Sequence, residues 1–219
     1  MAELIASEAE SYAAQHTSPL SDVVSEIAAR TRAGQRSAQM MSGLAEARLL
    51  EALIIVGGAR RVLEIGTFTG VGAVSMAAAL PADGQVTTLE VDADTAAAAR
   101  RNIDDSGYGD RIELIVGDAL QTLDRLEGPF DLVYIDAWKY DYPAYYDRVL
   151  PKLAERGVIV ADNLFQSGRA FDDDADDDSS RGIRAFARQV TDDERVHNVL
   201  LTIGDGVMVI WRHGHADPA

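Results

Sequence analysis

Short apolar runs separated by longer mixed segments dominate the chain from residue 60 onward, and they predict strands alternating with helices. The runs cover residues 62–65, 86–89, 112–116, 132–135 and 158–160. Four of them lack polar alternation, which is typical of parallel strands buried on both faces, whereas Glu113 in the third predicts a place nearer a sheet edge. Segments such as 71–80 and 95–103 are long enough for crossover helices. The pattern therefore predicts an α/β fold with a doubly wound, Rossmann-like and mostly parallel sheet.

The N-terminal part of the chain has a different pattern, with apolar residues at three- and four-residue spacing. This spacing predicts a helix that begins near Asp22 and a second helix over 44–56, which Gly57 and Gly58 would end. Between them, residues 31–43 are rich in Gln, Ser, Arg and Met and predict a loop or a broken helix. We expect residues 1–58 to form a helical N-terminal extension.

The C-terminal part predicts an antiparallel hairpin. Two β-rich runs flank the turn Gly204-Asp205-Gly206, and they cover residues 196–203 and 207–211. We find no linker or internal repeat, so the sequence predicts a single domain over residues 1–219. Its α/β core would span 59–213, with the hairpin completing the sheet.

Composition and charge narrow the class of protein. The 219 residues include 20 Lys and Arg but 36 Asp and Glu, a formal net charge of −16, which makes nucleic acid an unsuitable partner. The chain has no cysteine, which excludes a disulfide framework, a thiolate metal site and a cysteine nucleophile. No basic flank with an apolar stretch opens the sequence and no long apolar run follows, so we expect neither a signal peptide nor a membrane span and predict a cytoplasmic location.

The turn after the first predicted strand indicates what the sheet binds. It reads Gly66-Thr67-Phe68-Thr69-Gly70-Val71-Gly72, with glycines that let the backbone approach a ligand. The spacing is neither G-x-G-x-x-G nor a P-loop, and Glu64 just before the turn would repel a pyrophosphate. A carboxylate attracts an ammonium or sulfonium group instead. The turn therefore favours S-adenosylmethionine.

Acidic residues at the next two strand ends fit the same ligand. Glu90 lies where an acidic side chain accepts hydrogen bonds from both ribose hydroxyls, a feature that a nicotinamide cofactor would also satisfy. Asp118 could accept from an adenine amino group, with the Ala119 amide nearby. Asp118 could equally cap a helix over 119–126, and the two roles are compatible.

The fourth and fifth predicted strands end in a set of hard oxygen donors. Asp136 follows one strand, Asp162 and Asn163 follow the other, and the carboxyl ends of parallel strands share one edge of the sheet. Two carboxylates and an amide oxygen suit Mg²⁺ or Ca²⁺ rather than Zn²⁺, although each residue alone could be a helix cap or a turn residue. A divalent cation nearby would favour the neutral amine of Lys139, a candidate general base. Trp138 is a candidate wall for a flat acceptor ring, or a packing residue.

The motifs together resemble those of the cation-dependent O-methyltransferases, which include catechol O-methyltransferase and caffeoyl-CoA O-methyltransferase. The resemblance runs from about residue 40 to 211 and rests on L-E-I-G-T-F-T-G at 63–70, G-D-A at 117–119, I-D-A-W-K at 135–139, A-D-N at 161–163 and the closing hairpin. The Asp-x-Trp-Lys form is more similar to the catechol enzymes.

The resemblance implies a set of site residues, a metal and an assembly. The implied S-adenosylmethionine residues are Met40, Ser42, Glu64, Gly66, Thr67, Phe68, Gly70, Gly72, Glu90, Asp118, Ala119 and Asp136. It also implies that Asp136, Asp162 and Asn163 hold Mg²⁺ or another divalent cation such as Ca²⁺ or Mn²⁺. Lys139 would be the base, Trp138, Lys139 and Asn163 would contact the acceptor, and the protein would be a homodimer.

Two departures from the family pattern bear on the ligands. Gly72 stands where many members have a serine that contacts the methionine carboxylate. The Asp-rich loop 172–178 occupies the insertion that shapes the acceptor pocket in relatives, and its charge disfavours a CoA ester.

We therefore expect methyl transfer to one hydroxyl of a small vicinal dihydroxy aromatic acceptor. The alternatives are a methyltransferase for another acceptor, such as a natural-product hydroxyl or an amine, a nicotinamide-dependent oxidoreductase, and a regulatory module that binds S-adenosylmethionine without catalysis.

Overall fold

The structure, a computed structural model, describes residues 7–34, 41 and 43–214. Three helices precede the sheet in the described part of the chain: α1 Ser7–Gln15, α2 Asp22–Gly34 and α3 Leu44–Gly57. The predicted helices near Asp22 and over 44–56 are confirmed, and Gly58 ends α3 in the left-handed conformation with φ 65°. For residues 31–43 the prediction is a loop or a broken helix; Thr31 to Gly34 continue α2, so a loop is wrong for those four residues. Residues 35–40 and 42 lie outside the described part.

The seven strands form one mixed sheet with the order β3-β2-β1-β4-β5-β7-β6. They are β1 Arg61–Ile65, β2 Gln85–Glu90, β3 Ile112–Val116, β4 Phe130–Ile135, β5 Leu153–Ala161, β6 Val196–Leu201 and β7 Val207–Arg212. The first five strands are parallel, and β3 lies at an edge as Glu113 predicts. The C-terminal hairpin is confirmed, with β7 antiparallel to both β5 and β6.

Helices cover both faces of the sheet and divide the core into two clusters. The remaining helices are α4 Val71–Ala79, α5 Ala93–Asp105, α6 Ala119–Leu123, α7 Tyr142–Val149 and α8 Asp178–Thr191. Apolar side chains of α2, α3, α4 and α5 pack on one face, and those of α6, α7 and α8 pack on the other. This arrangement confirms the doubly wound α/β fold, and it explains why the parallel strands carry apolar residues on both faces.

The Asp-rich segment is shorter as a loop than predicted. Asp178 already belongs to α8, because the Asp177 side chain accepts a hydrogen bond from the Ser180 amide at 3.1 Å and caps the helix. The predicted helix over 119–126 likewise ends earlier, at Leu123. In the described residues, no helix is both long enough and apolar enough to cross a membrane.

Candidate active site

A cavity of about 730 Å³ opens at the carboxyl ends of β1 to β4, where the order of the sheet reverses beside β1. Twelve residues predicted for the site line it: Glu64, Gly66, Thr67, Phe68, Gly72, Glu90, Asp118, Ala119, Asp136, Trp138, Lys139 and Asn163. Gly70 and Asp162 do not reach its surface, and Met40 and Ser42 lie outside the described residues. Gly34 and Met41, on either side of the undescribed stretch 35–40, are part of the lining.

The turn after β1 comes very close to the end of β4. Gly66 has φ 100°, and a side chain there would collide with the backbone carbonyl of Asp136. Gly70, with φ 86°, leads into α4, and Phe68 is also left-handed with φ 50°. Gly66 therefore lets the ends of β1 and β4 come together, whereas Gly70 packs against Ala99 and Ile103 of α5.

Glu64 is a buried carboxyl at the base of the turn, with only 1% of its surface exposed. Its Oε2 accepts a hydrogen bond from the Thr88 hydroxyl at 2.5 Å, and its Oε1 lies against Gly72, where a side chain would collide with it. Burial raises the pKa of Glu64 to about 8, and the charges of Asp136 and Glu90 add to the shift. No ion pair of the described residues involves Glu64. A cationic ligand group would supply the positively charged partner that the Glu64 carboxylate lacks.

Glu90 and Asp118 are held by backbone amides while facing the cavity. Glu90 accepts from the Phe68 amide at 2.8 Å and from the Asp92 amide at 3.0 Å. Asp118 caps α6 by accepting from the Gln121 amide at 2.8 Å, which confirms its predicted capping role. Both carboxylates also line the cavity, so capping leaves Asp118 accessible to a ligand.

The predicted metal ligands lie at neighbouring strand ends. Ile135 of β4 pairs with Ala161 of β5, so Asp136 and Asp162 follow directly from paired residues. Asp162 is 3% exposed and accepts from the Tyr134 hydroxyl at 2.9 Å and from the Asn163 amide at 2.7 Å. Burial and the charge of Asp136 raise the pKa of Asp162 to about 7.

This donor set fits a hard divalent cation. Two carboxylates that repel each other and a nearby amide side chain are the chemistry that Mg²⁺ and Ca²⁺ prefer. In the described part of the chain, no three His, Cys, Asp or Glu side chains are grouped as a metal site would require. A third protein donor would therefore come from the amide oxygen of Asn163, which lines the cavity.

Lys139 lies beside these acids in a 3₁₀ turn, Lys139–Asp141, that follows β4. Its Nζ donates to Asp136 Oδ1 at 2.8 Å and to the hydroxyl of Tyr142 at 2.8 Å. The amine is mostly buried, with 14% of its side chain exposed, yet it lines the cavity. Trp138 is 68% exposed at the cavity wall, which fits a surface for a flat ligand and not a packing role.

The sequence reasoning missed three groups of the site. Thr88, Tyr134 and Tyr142 make the hydrogen bonds to Glu64, Asp162 and Lys139 described above. The sequence did indicate that the two tyrosines are buried, because Tyr134 stands in an apolar strand and Tyr142 in a helical segment. A buried tyrosine hydroxyl needs a hydrogen-bond partner. The sequence does not say which partner the hydroxyl has.

A Rossmann-like sheet of this order, with acidic groups at the carboxyl ends of β1, β2 and β3 around a cavity, defines an S-adenosylmethionine-dependent methyltransferase. The family model described as O-methyltransferase matches residues 13–213, and the chain belongs to that family, in the group of the caffeoyl-CoA and catechol enzymes. This membership decides against the oxidoreductase and the regulatory module.

Similar proteins carry these names. The chain is 30% identical over 207 residues to the "Probable caffeoyl-CoA O-methyltransferase 1" of Dictyostelium discoideum, covering 92% of this chain and 90% of that protein. It is 48% identical over 122 residues to the catechol O-methyltransferase of Mycobacterium tuberculosis, covering 54% and 55%. The crystal structure of the O-methyltransferase TomG from Streptomyces achromogenes, in complex with SAM, has a TM-score of 0.84 at 30% identity, covering 94% of this chain and 96% of that one.

Proposed function

We propose that this methyltransferase transfers the methyl group to one hydroxyl of a small vicinal dihydroxy aromatic acceptor, with a divalent cation and with Lys139 as general base. The observation that carries the proposal is the position of Lys139 Nζ, at the cavity wall and bonded to Asp136 at the end of β4. The names of the catechol and caffeoyl-CoA relatives support a dihydroxy aromatic acceptor.

The acidic residues at the carboxyl ends of β1, β2 and β3 would bind the cofactor. Glu64 would pair with the ammonium group of S-adenosylmethionine, Glu90 would accept from the ribose hydroxyls, and Asp118 would accept from the adenine amino group. Among the described residues that line the cavity, six are acidic and only Lys139 is basic, which suits a ligand of positive charge. The six are Glu64, Glu90, Asp92, Asp118, Asp136 and Asp141.

Asp136, Asp162 and Asn163 would hold the cation, for which Mg²⁺ is our choice and Ca²⁺ or Mn²⁺ the alternatives. A divalent cation in such a site supplies Lewis-acid activation of a phenolic oxygen and a template for two neighbouring oxygens. The raised pKa of Asp162 supports this role, because a buried carboxylate beside a second negative charge would be stabilised by a cation.

Lys139 would move the proton. Its neutral amine takes the proton from the acceptor hydroxyl, so that an O–H bond breaks and an N–H bond forms. The phenolate oxygen then bonds to the methyl carbon as the S–C bond breaks, which gives an aryl methyl ether and a neutral thioether. The proton leaves Lys139 for solvent. Charge disappears in this step, so the residues around the acceptor, Trp138 among them, contribute mainly orientation and exclusion of water.

The Asp-rich segment 172–178 bears on the charge of the acceptor. Six aspartates lie in this segment, and two arginines pair with three of them. Arg169 pairs with Asp177, and Arg181 pairs with Asp176 and Asp178. The remaining negative charge would repel CoA phosphates. A natural-product hydroxyl is the second candidate acceptor, supported by TomG, which is involved in tomaymycin synthesis.

A screen of dihydroxy aromatic acceptors with labelled S-adenosylmethionine tests the reaction. We expect label transfer with Mg²⁺, loss of transfer in EDTA, and recovery when Mg²⁺ is added in excess. Undiminished transfer in EDTA would contradict the cation. Transfer to monohydroxy phenols or to amines at equal rates would contradict the dihydroxy acceptor. The homodimer stays a prediction that light scattering would check.

The base is tested by Lys139→Ala. We expect kcat to fall by ~100-fold or more with binding of the cofactor retained, since a positioned base contributes on this scale. Lys152→Ala is the matched control, because Lys152 lies directly before β5, at the amino end of that strand, whereas the cavity lies at the carboxyl ends. An unchanged kcat in Lys139→Ala would remove the base assignment.

A further inference from the structure

We propose that Tyr142 is a positioning residue for Lys139: its buried hydroxyl aims the one unoccupied valence of the lysine nitrogen into the cavity. The inference rests on the proposed role of Lys139 as the base. It adds a residue that does not line the cavity and whose effect on the reaction would pass through Lys139.

The hydroxyl of Tyr142 has a fixed orientation. Its oxygen accepts from Lys139 Nζ at 2.8 Å, and its hydrogen points toward the carbonyl oxygens of Ile135 and Asp162, each 3.1 Å away. Both carbonyls belong to the ends of neighbouring strands, so they do not move independently of the sheet. With its hydrogen directed at these carbonyls, the hydroxyl presents a lone pair to Lys139.

The tyrosine ring cannot easily turn away. Tyr142 is fully buried, and the edge of its ring meets Phe186 of α8 with centroids 5.5 Å apart, while Tyr145 lies 6.2 Å away. The same ring supports the lysine side chain, because Nζ lies 5.0 Å from its centroid. A long flexible lysine is thus held against a rigid aromatic anchor.

Counting the bonds of the nitrogen shows what this anchor achieves. One valence is the bond to the side-chain carbon, one hydrogen goes to Asp136 and one goes to Tyr142. In the neutral amine the fourth position is the lone pair that accepts a proton. Since Lys139 lines the cavity and its two partners take the other directions, the lone pair faces the place where an acceptor oxygen would lie. Without Tyr142 the nitrogen could rotate about its terminal bond and offer a hydrogen there instead.

The test is Tyr142→Phe, which removes one oxygen and keeps the buried ring. We expect kcat to fall by about 10-fold to 100-fold, because a small error in the position or orientation of a reacting group has effects on this scale. Binding of S-adenosylmethionine, measured by calorimetry, should stay unchanged. An unchanged kcat would overturn the inference.

Tyr146→Phe is the matched control for stability. Tyr146 lies on the same helix, is equally buried, and donates to Asp193 at 2.9 Å, away from the cavity. Tyr146→Phe therefore removes the same hydroxyl group, with its hydrogen bond to Asp193, and does not affect a contact of Lys139. Both variants are compared by thermal unfolding, and kcat should fall in Tyr142→Phe alone. An equal fall of kcat in both variants would show a general effect of stability and overturn the inference.

The double variant of Tyr142→Phe and Lys139→Ala separates positioning from other roles. If Tyr142 acts through Lys139, the double variant should have the kcat of Lys139→Ala, with no further loss. A multiplicative loss would mean that Tyr142 acts on something else, and would overturn this inference while leaving the base assignment intact. An unchanged kcat in Lys139→Ala would overturn both.

Discussion

The cavity has two halves that differ in the groups that compensate their negative charge. In the cofactor half, Glu64, Glu90 and Asp118 receive hydrogen bonds from hydroxyl and amide groups. In the half at the ends of β4 and β5, Asp136 has the ammonium of Lys139 as a direct partner at 2.8 Å. Among the described residues, the cofactor half contributes no basic side chain to the cavity lining.

The difference indicates where each half obtains its compensating charge. Glu64 is neutralised by a proton in the free protein, because burial raises its pKa to about 8. An ammonium group of the cofactor would replace that proton. In the free protein Asp136 is paired with Lys139, whereas the buried Asp162, with its pKa raised to about 7, would be stabilised by a divalent cation. Loss of an acid in one half should therefore leave binding in the other half largely intact.

Replacing Asp162 by alanine should have the largest effect on binding. We expect the affinity for Mn²⁺ or Mg²⁺ to fall at least about 100-fold, since the change removes a proposed direct ligand and the loss of a supporting contact alone can cost that much. Calorimetry in the presence of the cofactor product measures it. Asp124→Ala, at an exposed carboxylate paired with Arg148, is the control. Equal cation affinity in the Asp162→Ala variant and the control would contradict the metal site.

Glu64→Gln probes the other half and keeps the shape of the side chain. The amide can still accept from Thr88 but cannot pair with an ammonium group as a charge. We expect the Kd for S-adenosylmethionine to rise about 10-fold to 100-fold, the usual range for loss of a hydrogen bond to a charged partner. Cation affinity should not change. A shift in cation affinity as large as the shift in cofactor affinity would show that the two halves are not independent.

The pH dependence of cofactor binding separates proton from ligand at Glu64. Binding of the ammonium requires the carboxylate, so protonation below pH 8 should weaken it, by roughly fivefold between pH 8 and pH 7. Binding should release a proton, which calorimetry in buffers of different ionisation enthalpy detects. The Glu64→Gln variant should lose both effects, and a pH-independent Kd in the parent protein would contradict this role.

The same shift predicts how the free protein responds to pH. The folded pKa of Glu64 lies above its ordinary value of 4.5, so the folded state holds the proton more tightly than the unfolded state. The stability that this group contributes is therefore full below about pH 4.5 and is lost as the pH rises through 8. Thermal unfolding of the parent protein and of Glu64→Gln should diverge across that interval.

The sequence predicts well which residues lie at the carboxyl ends of the strands, and it predicts poorly which side chains contact each other. Glu64, Glu90, Asp118 and Asp136 could be placed together because each lies at or just after the end of a strand, and parallel strands end at one edge. The order of the hairpin strands was not predictable, since both β6 and β7 have patterns suited to pairing with β5.

Contacts that depend on helices far along the chain were not predictable either. Gly182 of α8 packs so closely on the Lys139 carbonyl that any side chain there would collide with it. Nothing in the local sequence of α8 indicates that its glycine faces the turn of Lys139. The raised pKa of Glu64 depends on complete burial, which only the packed sheet determines.

Gly72→Ala should have the smallest effect and the most specific one. Alanine favours a helix over glycine by about 0.5–1 kcal/mol, so α4 should not lose helical stability. Its methyl group, however, would meet Oε1 of Glu64, and the carboxyl must shift to make room. We expect a few-fold rise in the Kd for S-adenosylmethionine with little change in thermal unfolding or in cation affinity.

Gly57→Ala provides the comparison for this variant, because Gly57 is the last residue of α3 and a side chain there would meet open space. Both variants add one methyl group to a helix, but only the methyl at position 72 touches the cofactor half. Gly57→Ala should therefore leave the Kd unchanged. If Gly72→Ala also leaves it unchanged, the Glu64 carboxyl is free to move, and the rigid contact between α4 and the acid of β1 is not what orients it toward the cofactor.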